Sequence, residues 1–147
     1  ASSPILTYAE NLLIIAESQL RLNGFDNGLS ALNDYRSFLN SIFPNSYQSL
    51  NETDFQTGGL ENNDNLNPID ALLKEILEEK YIMLFGTSEV FSDIRRTLSD
   101  VNSKVNLTPN TGSELPQRFL YPQSEIDRNS NAPNPIPGFF EPTQINK

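Results

Sequence analysis

The segment from residue 67 to residue 98 constrains the fold most, because it holds the densest helical periodicity in the chain. Asn67 can cap a helix, and Pro68 suits the first helical position, where the amide donor that proline lacks has no partner. Apolar positions and the stem of one lysine then recur at three- and four-residue spacing: Ile69, Leu72, Leu73, Ile76, Leu77, Lys80 and Leu84. Because the apolar run 81–85 surrounds the helix, we expect its last turn to be enclosed on several sides. Gly86 supplies the left-handed residue that ends many helices.

A second, shorter helix is predicted after this glycine, so that the two helices span Ile69–Phe85 and Ser88–Leu98. Thr87 or Ser88 can cap the second helix. Its expected inner face is apolar and consists of Val90, Phe91, Ile94 and Leu98. Arg95 and Arg96 fall in its last turns, where the helix dipole favours positive charge.

The first third of the chain predicts a helical hairpin, with helices near Leu6–Asn23 and Asn27–Phe43. The first helix is expected to open either at Ser3-Pro4 or at Thr7, which with Glu10 has the spacing of a capping box. Asp26 is expected to cap the second helix. A short glycine turn joins the two, and Pro44 stops the second helix.

The small residues Ala16 and Ala31 would allow the two helices of this hairpin to cross closely, as in a tetratricopeptide unit. A plain αα-hairpin in a helical bundle is the alternative. The unbroken run 12–15 is apolar and predicts a helix that is buried on more than one side. Glu17 and Arg21 are expected to pair on the outside of the helix.

The remaining segments, 44–67 and 99–147, are polar, asparagine-rich or proline-rich and predict loops. Seven of the ten prolines lie after residue 104, which favours an extended tail. We expect its apolar residues to fix this tail to the helices: Leu115, Phe119, Leu120, Tyr121, Ile126, Phe139 and Phe140. The predicted fold is therefore all-α and loop-rich, with no sheet of more than two short strands.

Three stretches in this order resemble the C-terminal portion of the SusD/RagB family. The first contains Thr7-Tyr8-Ala9-Glu10 and Ile15-Ala16-Glu17. The second is Glu79-Lys80-Tyr81-Ile82-x-Leu84-Phe85-Gly86, followed by Phe91, Asp93, Arg95, Arg96 and Thr97. The third is Leu115-Pro116-x-Arg118-x-x-Tyr121-Pro122-x-Ser124-Glu125, with Asn129 and Asn131 after it. The chain departs from the family pattern at Gln117, where many relatives carry arginine, and in having no Trp.

The resemblance implies that residues 1–147 are the C-terminal segment of a SusD-like domain, with a helical hairpin at 5–43, a loop at 44–67, a helix pair at 68–98 and a tail at 99–147. Structural roles would fall to Gly86, Phe91, Arg95, Arg96, Arg118 and Tyr121. Such proteins are surface lipoproteins of the outer membrane in Bacteroidetes, and they capture glycans or other nutrients for a SusC-like TonB-dependent transporter. The lipid-bearing Cys and the N-terminal part of the domain would precede residue 1.

Composition excludes several other classes of function. The net charge of −9 disfavours nucleic acid as a partner. Without His or Cys, the chain cannot build a Ser-His, Cys-His or zinc site. Glu78 and Glu79 are adjacent and point to different sides of a helix, unlike the facing carboxylates of a glycosidase. We therefore predict no catalysis and no cofactor.

Two lone aromatic residues, Tyr47 and Phe55, are candidate platforms for stacking on a sugar, with packing as the alternative role for each. Arg95 and Arg96 could clamp an anion, although charges at a helix end more often bind a local carboxylate or the tail. The run 61–65 offers oxygen ligands but lacks the glycine turn and distal glutamate of an EF-hand, so no metal is predicted.

The predicted function is non-catalytic nutrient binding at the cell surface, with glycans as the expected ligand. A tetratricopeptide-type scaffold for protein segments is the alternative. Because two helix pairs cannot bury all of these apolar faces, we also expect uncovered apolar surface on the 147-residue chain.

Overall fold

The computed structural model describes residues 6–110 and 112–143, so the alternative start of the first helix at Ser3-Pro4 lies outside the described residues. These residues form five α-helices and one 3-10 turn, and they contain no strand, so the predicted all-α fold is confirmed. The helices are α1 (Tyr8–Asn23), α2 (Phe25–Ile42), α3 (Pro68–Met83), α4 (Glu89–Arg96) and α5 (Gln123–Arg128), and the 3-10 turn is Glu52–Phe55. Within the described ranges, no helix combines the length and apolar character needed to cross a membrane.

Two of the predicted helix caps are present in the structure, and one is not. Glu10 donates its amide to Thr7 Oγ1 at 3.1 Å, and the Thr7 amide donates to Glu10 Oε2 at 3.4 Å, which completes the capping box of α1. The Asn67 side chain accepts the Asp70 amide at 3.0 Å and caps α3. Asp26, by contrast, lies inside α2, where Gly24 occupies the cap position without a side-chain bond.

The start of α4 also differs from the prediction. Ser88 holds its cap position but makes no capping bond to a helix amide. Thr87 instead donates its hydroxyl to the Leu84 carbonyl at 2.7 Å, so it belongs to the turn after α3. Gly86 lies in that turn with φ +84°, a conformation that residues with a Cβ rarely adopt.

The core lies between α1, α2 and α3, and a contact at Gly28 lets α1 and α2 pack closely. A Cβ at Gly28 would lie 2.6 Å from Leu20 Cβ, so a larger residue would force the helices apart. The fully buried large apolar residues come from all three helices and from the 3-10 turn: Leu13, Leu32, Phe55, Leu72, Ile76 and Leu77.

The segment 44–67 is more ordered than a plain loop, because asparagine side chains bond to its backbone. The buried Asn62 amide donates to the Phe55 and Leu66 carbonyls at 2.9 and 2.8 Å, and its oxygen accepts the Leu66 amide at 2.8 Å. Asn33 of α2 exchanges a similar pair of bonds with the Leu50 backbone. These amides replace the backbone partners that a strand would provide.

The end of α3 is not enclosed, so that prediction is wrong. Ile82 is 68% exposed and Phe85 is 75% exposed, because the described elements pack on only one side of this turn. The predicted inner face of α4 is likewise only half-buried, and α4 ends at Arg96, before Leu98.

The tail is neither uniformly extended nor well covered. Residues 123–128 form α5, and Phe119 and Leu120 remain largely exposed. The tail folds back on itself instead, since Arg118 Nε donates to the Glu141 carbonyl at 3.0 Å. The prediction that these apolar residues fix it to the helices is therefore wrong for Leu120.

Candidate functional site

Glu17 and Lys80, two buried charged residues of the described part of the chain, belong to a network where α1, α3 and α4 meet. Lys80 Nζ lies 3.2 Å from Glu17 Oε2 and 2.8 Å from Asp93 Oδ1. Arg96 donates to both of these acids, at 2.8 Å from Nε to Asp93 Oδ1 and at 2.7 Å from Nη1 to Glu17 Oε1. We call Glu17, Lys80, Asp93 and Arg96 the ionic hub.

The ionic hub changes two expectations about its members. Glu17 does pair with Arg21, at 3.0 Å, but it is buried and does not lie on the outside of α1. Lys80 follows the apolar stripe as predicted, yet its ammonium group ends among the hub carboxylates and not in water. Arg21 also reaches Asp100 Oδ2 at 2.5 Å, which joins α1 to the turn after α4.

Glu17 is held in its charged form by this arrangement. Burial alone would raise its pKa, but the hydrogen bonds and charge of Arg96, together with Lys80 and Arg21, hold that pKa at about 2. A carboxylate that is fully engaged with three cations is a poor proton carrier near neutral pH. The hub therefore fits a structural role better than acid–base chemistry.

A second charged cluster, made of Arg36, Glu75 and Glu79, lies between α2 and α3. Arg36 Nη1 lies 2.6 Å from Glu79 Oε1 and 3.5 Å from Glu75 Oε1, so two carboxylates share one guanidinium. Arg36 Nε also donates to the Gln48 carbonyl at 2.7 Å. Burial, followed by the negative charges of Glu61 and Glu79, raises the pKa of Glu75 to about 7.

A cleft of about 610 Å³ opens between the end of α4 and the folded-back tail. Its volume falls within the range of small-molecule sites. The lining combines hydroxyls, side-chain amides, one lysine, one glutamate and one aromatic ring: Leu98, Ser99, Lys104, Val105, Asn106, Leu107, Thr108, Pro109, Ser113, Glu114, Leu115, Gln117, Phe140 and Pro142. We call this the tail cleft.

Phe140 gives the tail cleft its aromatic surface, since its ring is about half exposed. Phe139 meets it edge-on with the ring centroids 5.2 Å apart, which limits the orientations of Phe140. Lys104 and Glu114 bring opposite charges to the lining, so it carries no net charge. These features suit an uncharged ligand that has both hydroxyl groups and an apolar face.

A smaller cleft of about 300 Å³ lies over the ionic hub. Its outer wall contains Glu10, Ser88, Glu89, Ser92 and Phe119, while Lys80, Asp93 and Arg96 form the inner side. The inner charges already bond to one another. These inner groups are therefore less available to a ligand.

The two residues predicted as sugar platforms have different environments in the structure. Phe55 is 0% exposed and contacts the Phe25 ring edge-on at 5.8 Å, so its role is in packing and it is not available to a sugar. Tyr47 is half-buried, with the Arg36 guanidinium 5.9 Å from its ring centroid. Neither residue lines the tail cleft.

Arg95 and Arg96, considered as an anion clamp, are both engaged inside the protein. Arg96 belongs to the ionic hub, whereas Arg95 Nη1 donates to the Gln117 carbonyl at 3.4 Å and its guanidinium lies 5.5 Å from the Phe91 ring centroid. Phe91 in turn lies 4.7 Å from the Phe119 ring. This set of contacts attaches the tail to α4.

The other residues to which the resemblance gives structural roles lie apart from this set. Arg118 binds the tail through the carbonyls of Glu141 and Pro142, each at 3.0 Å. Tyr121 is exposed and lies two residues before α5. In segment 61–65, Asn62 is used inside the loop and Asp64 pairs with Lys74. Within the described residues, no group of three or more acidic side chains could hold a metal ion.

Sequence reasoning missed Phe140 as a possible ligand contact, because the cleft joins residues that lie more than 40 positions apart only after the tail folds back. The adjacent pair Phe139-Phe140 in a proline-rich segment was the available signal. No protein-family profile, curated protein or solved structure matches the chain. The resemblance to the SusD/RagB family therefore stays a prediction.

Proposed function

We propose that this chain is the C-terminal part of a SusD-like nutrient-binding protein, which captures glycans at the cell surface without catalysis. It would act beside a SusC-like TonB-dependent transporter. The proposed location is the outer membrane, with a lipid anchor on a Cys that precedes these residues.

The observation that carries this proposal is the composition of the ionic hub. All four hub residues belong to the stretches on which the resemblance rests, and Glu17 and Arg96 are 79 positions apart. Their contact gives one physical reason for a shared pattern, since the buried charges of Glu17 and Lys80 need the other hub residues to compensate them. Residues that matched by composition alone would have no reason to meet.

At the level of fold, we propose that α1 and α2 are a tetratricopeptide-like hairpin and that the residues after α4 form a proline-rich tail around a short helix. The close crossing at Gly28 and the buried Ala16 and Ala31 support the first part. The prolines and the backbone contacts of Arg118 support the second.

We place the glycan in the tail cleft, because its lining fits the chemistry of a sugar. Hydroxyl and amide groups can exchange hydrogen bonds with sugar hydroxyls, and the exposed face of Phe140 can cover the apolar face of a pyranose ring. Binding of this kind is passive. It needs shape and hydrogen bonds, and it does not need a nucleophile.

The test is calorimetric titration with soluble α-glucans, β-glucans, xylans and mannans. We expect at least one to bind, and Phe140→Ala to weaken that binding by about tenfold, or about 1.4 kcal/mol. Phe85→Ala is the matched control, since Phe85 is an exposed phenylalanine outside the cleft. If the two substitutions had equal effects, the glycan would not bind in the tail cleft. If no polysaccharide of the panel bound, glycans would not be the ligand.

The transporter is tested separately by co-expression with the TonB-dependent transporter encoded nearest to the gene. We expect the two proteins to co-purify from detergent-solubilised outer membranes. A tetratricopeptide-type scaffold remains the second candidate function, favoured by the close packing of α1 on α2. Binding of peptides in place of glycans, with no transporter recovered, would select that alternative.

A further inference from the structure

A tight turn at residues 138–141 carries Phe139 and Phe140 at its two central positions. Glu141 closes this turn twice, because its amide donates to the Gly138 carbonyl at 3.2 Å and its Oε1 accepts the Gly138 amide at 2.9 Å. We call residues 138–141 the Phe turn. Since Phe140 is the aromatic ring of the tail cleft, the position of the Phe turn sets the position of that ring.

The Phe turn is joined to the rest of the tail by two consecutive residues, Gln117 and Arg118. The Gln117 amide donates to the Phe139 carbonyl at 3.0 Å. Arg118 donates from Nε to the Glu141 carbonyl and from Nη2 to the Pro142 carbonyl, each at 3.0 Å. In the part of the chain that the structure describes, these three are the hydrogen bonds that connect the turn and Pro142 to other segments. The carbonyls that accept them lie before and after Phe140 in sequence.

Arg118 is suited to hold two neighbouring carbonyls in one geometry. Its guanidinium is planar and presents its donors in a fixed fork, whereas a lysine ammonium is a single point of attachment on a flexible stem. Arg118 itself does not line the tail cleft. It can therefore influence a ligand only through the residues that it holds.

The residues beside Arg118 are attached in turn to α4. Arg95 Nη1 donates to the Gln117 carbonyl at 3.4 Å, and the Phe119 ring centroid lies 4.7 Å from that of Phe91. A continuous set of contacts thus runs from α4 through residues 117–119 to the Phe turn. It gives a ring that lies on a loop a support that is based on a helix.

We propose that Arg118 is a positioning residue of the tail cleft, which holds the Phe turn so that the Phe140 ring faces the cleft before a ligand binds. This inference rests on the proposed function, since it assigns the ligand of Arg118-held Phe140 to the glycan class. The benefit is that the turn is already ordered, so binding does not have to offset the entropy of ordering it. Because both Arg118 bonds are exposed to solvent, their loss should loosen the turn and leave the helices folded.

The binding test uses calorimetric titration with the polysaccharide of the panel that binds the wild type. Arg118→Gln should weaken binding by about tenfold, as Phe140→Ala does. When Phe140→Ala is already present, adding Arg118→Gln should cost less than about a further twofold, because the two residues act through one contact. Arg118→Lys keeps the charge without the fork and should recover only part of the lost affinity. Arg128→Gln is the matched control, since Arg128 is an exposed arginine of the same tail outside the cleft.

A fluorescence test measures the position of the ring without any ligand. The chain has no Trp, so Phe140→Trp introduces a single indole that reports from the Phe turn alone. We expect its fluorescence anisotropy to fall when Arg118→Gln is added and to stay unchanged when Arg128→Gln is added. Circular dichroism of each variant should show the same helix content.

The two tests distinguish failure of the positioning role from failure of the glycan site. If a polysaccharide binds through Phe140 and Arg118→Gln leaves the affinity unchanged, the glycan site stands and the positioning role is wrong. Losses that multiply in the double variant would also overturn it, as would a loss of helix content in Arg118→Gln, which would make Arg118 a general determinant of the fold. If no polysaccharide binds, the proposed function fails, and the anisotropy alone decides whether Arg118 holds the ring.

Discussion

Replacing Glu75 by glutamine should stabilise the protein at about pH 8 and have a much smaller effect on its stability at about pH 5. Glu75 lies between α2 and α3 with a side chain that is 15% exposed. It shares Arg36 with Glu79, which is closer to the guanidinium, and Glu61 adds a third negative charge nearby. The charged form of Glu75 is therefore poorly compensated.

The direction of this stability change follows from the pKa of Glu75. Burial, and then the charges of Glu61 and Glu79, raise that pKa from 4.5 to about 7 in the folded protein. The folded state binds the proton more tightly than the unfolded state does. The favourable contribution is complete below pH 4.5, declines above it and is lost above about pH 7. Burial raises the pKa of Glu79 too, which acts in the same direction.

The same pKa values set an upper bound on the gain in unfolding free energy. The difference between 4.5 and about 7 corresponds to at most about 3 kcal/mol, and residual contact with water reduces this. We expect the unfolding free energy of Glu75→Gln to exceed that of the wild type by about 1–3 kcal/mol at about pH 8. Glutamine resembles the protonated acid in shape and charge, so the gain should fall to under about 1 kcal/mol at about pH 5.

Urea unfolding followed by circular dichroism at the two pH values measures this difference. Glu78→Gln is the control, because Glu78 lies on the same helix with an exposed side chain and should show little pH-dependent gain. If Glu75→Gln lost stability at both pH values, Glu75 would be a favourable partner of Arg36. Arg36 would then compensate both carboxylates fully.

Three further predictions concern the core and the ionic hub. Leu77→Ala should lower the unfolding free energy by about 2–5 kcal/mol, whereas Lys74→Ala should cost under about 1 kcal/mol; equal losses in urea unfolding would mean that the buried face of α3 is misassigned. Gly28→Val should lower the thermal midpoint strongly, because its Cβ would overlap Leu20, and an unchanged midpoint in calorimetry would show that the helices can separate at little cost. Glu17→Gln should cost about 3–5 kcal/mol at neutral pH by leaving the hub cations uncompensated. Since the folded pKa of Glu17 is about 2, its contribution in the wild type is present above pH 4.5 and lost as the pH falls towards 2, and an acid titration in which wild type and variant differ equally at all pH values would contradict this.

Local sequence rules located α1 to α4 well but missed α5, because the interactions that begin the first four helices mostly involve neighbours in sequence. Thr7 with Glu10, and Asn67 with Pro68, are complete within four residues. The cap predictions that failed, at Asp26 and Ser88, concern short turns where the chain direction changes. There, tertiary packing sets the start of the helix, and a polar residue in the right position is insufficient.

The same rules could not place the ionic hub. They recognise the pair of Glu17 and Arg21, which are one turn apart, and they predict an exposed helix surface for it. Inside the protein, Glu17 bonds to Lys80, which lies 63 positions later in the chain. No periodicity within α1 or α3 identifies this partner. The tail cleft could not be predicted either, because its walls come together through contacts distant in sequence, such as those of Arg118 with residues 141 and 142.

Helix α3 carries a charged cluster on each of two sides. Because the two clusters differ in proton affinity, the contacts they make respond differently to pH. On one side, the pKa of Glu17 near 2 keeps the hub that joins α1, α3 and α4 charged throughout the neutral range. On the other side, the pKa of Glu75 is about 7, so Glu75 becomes charged as the pH rises and the contact between α2 and α3 weakens. The tail cleft lies beside the end of α4, on the side that the hub supports. Ligand binding in that cleft should consequently vary little between about pH 5 and pH 8, while the global stability declines across the same interval.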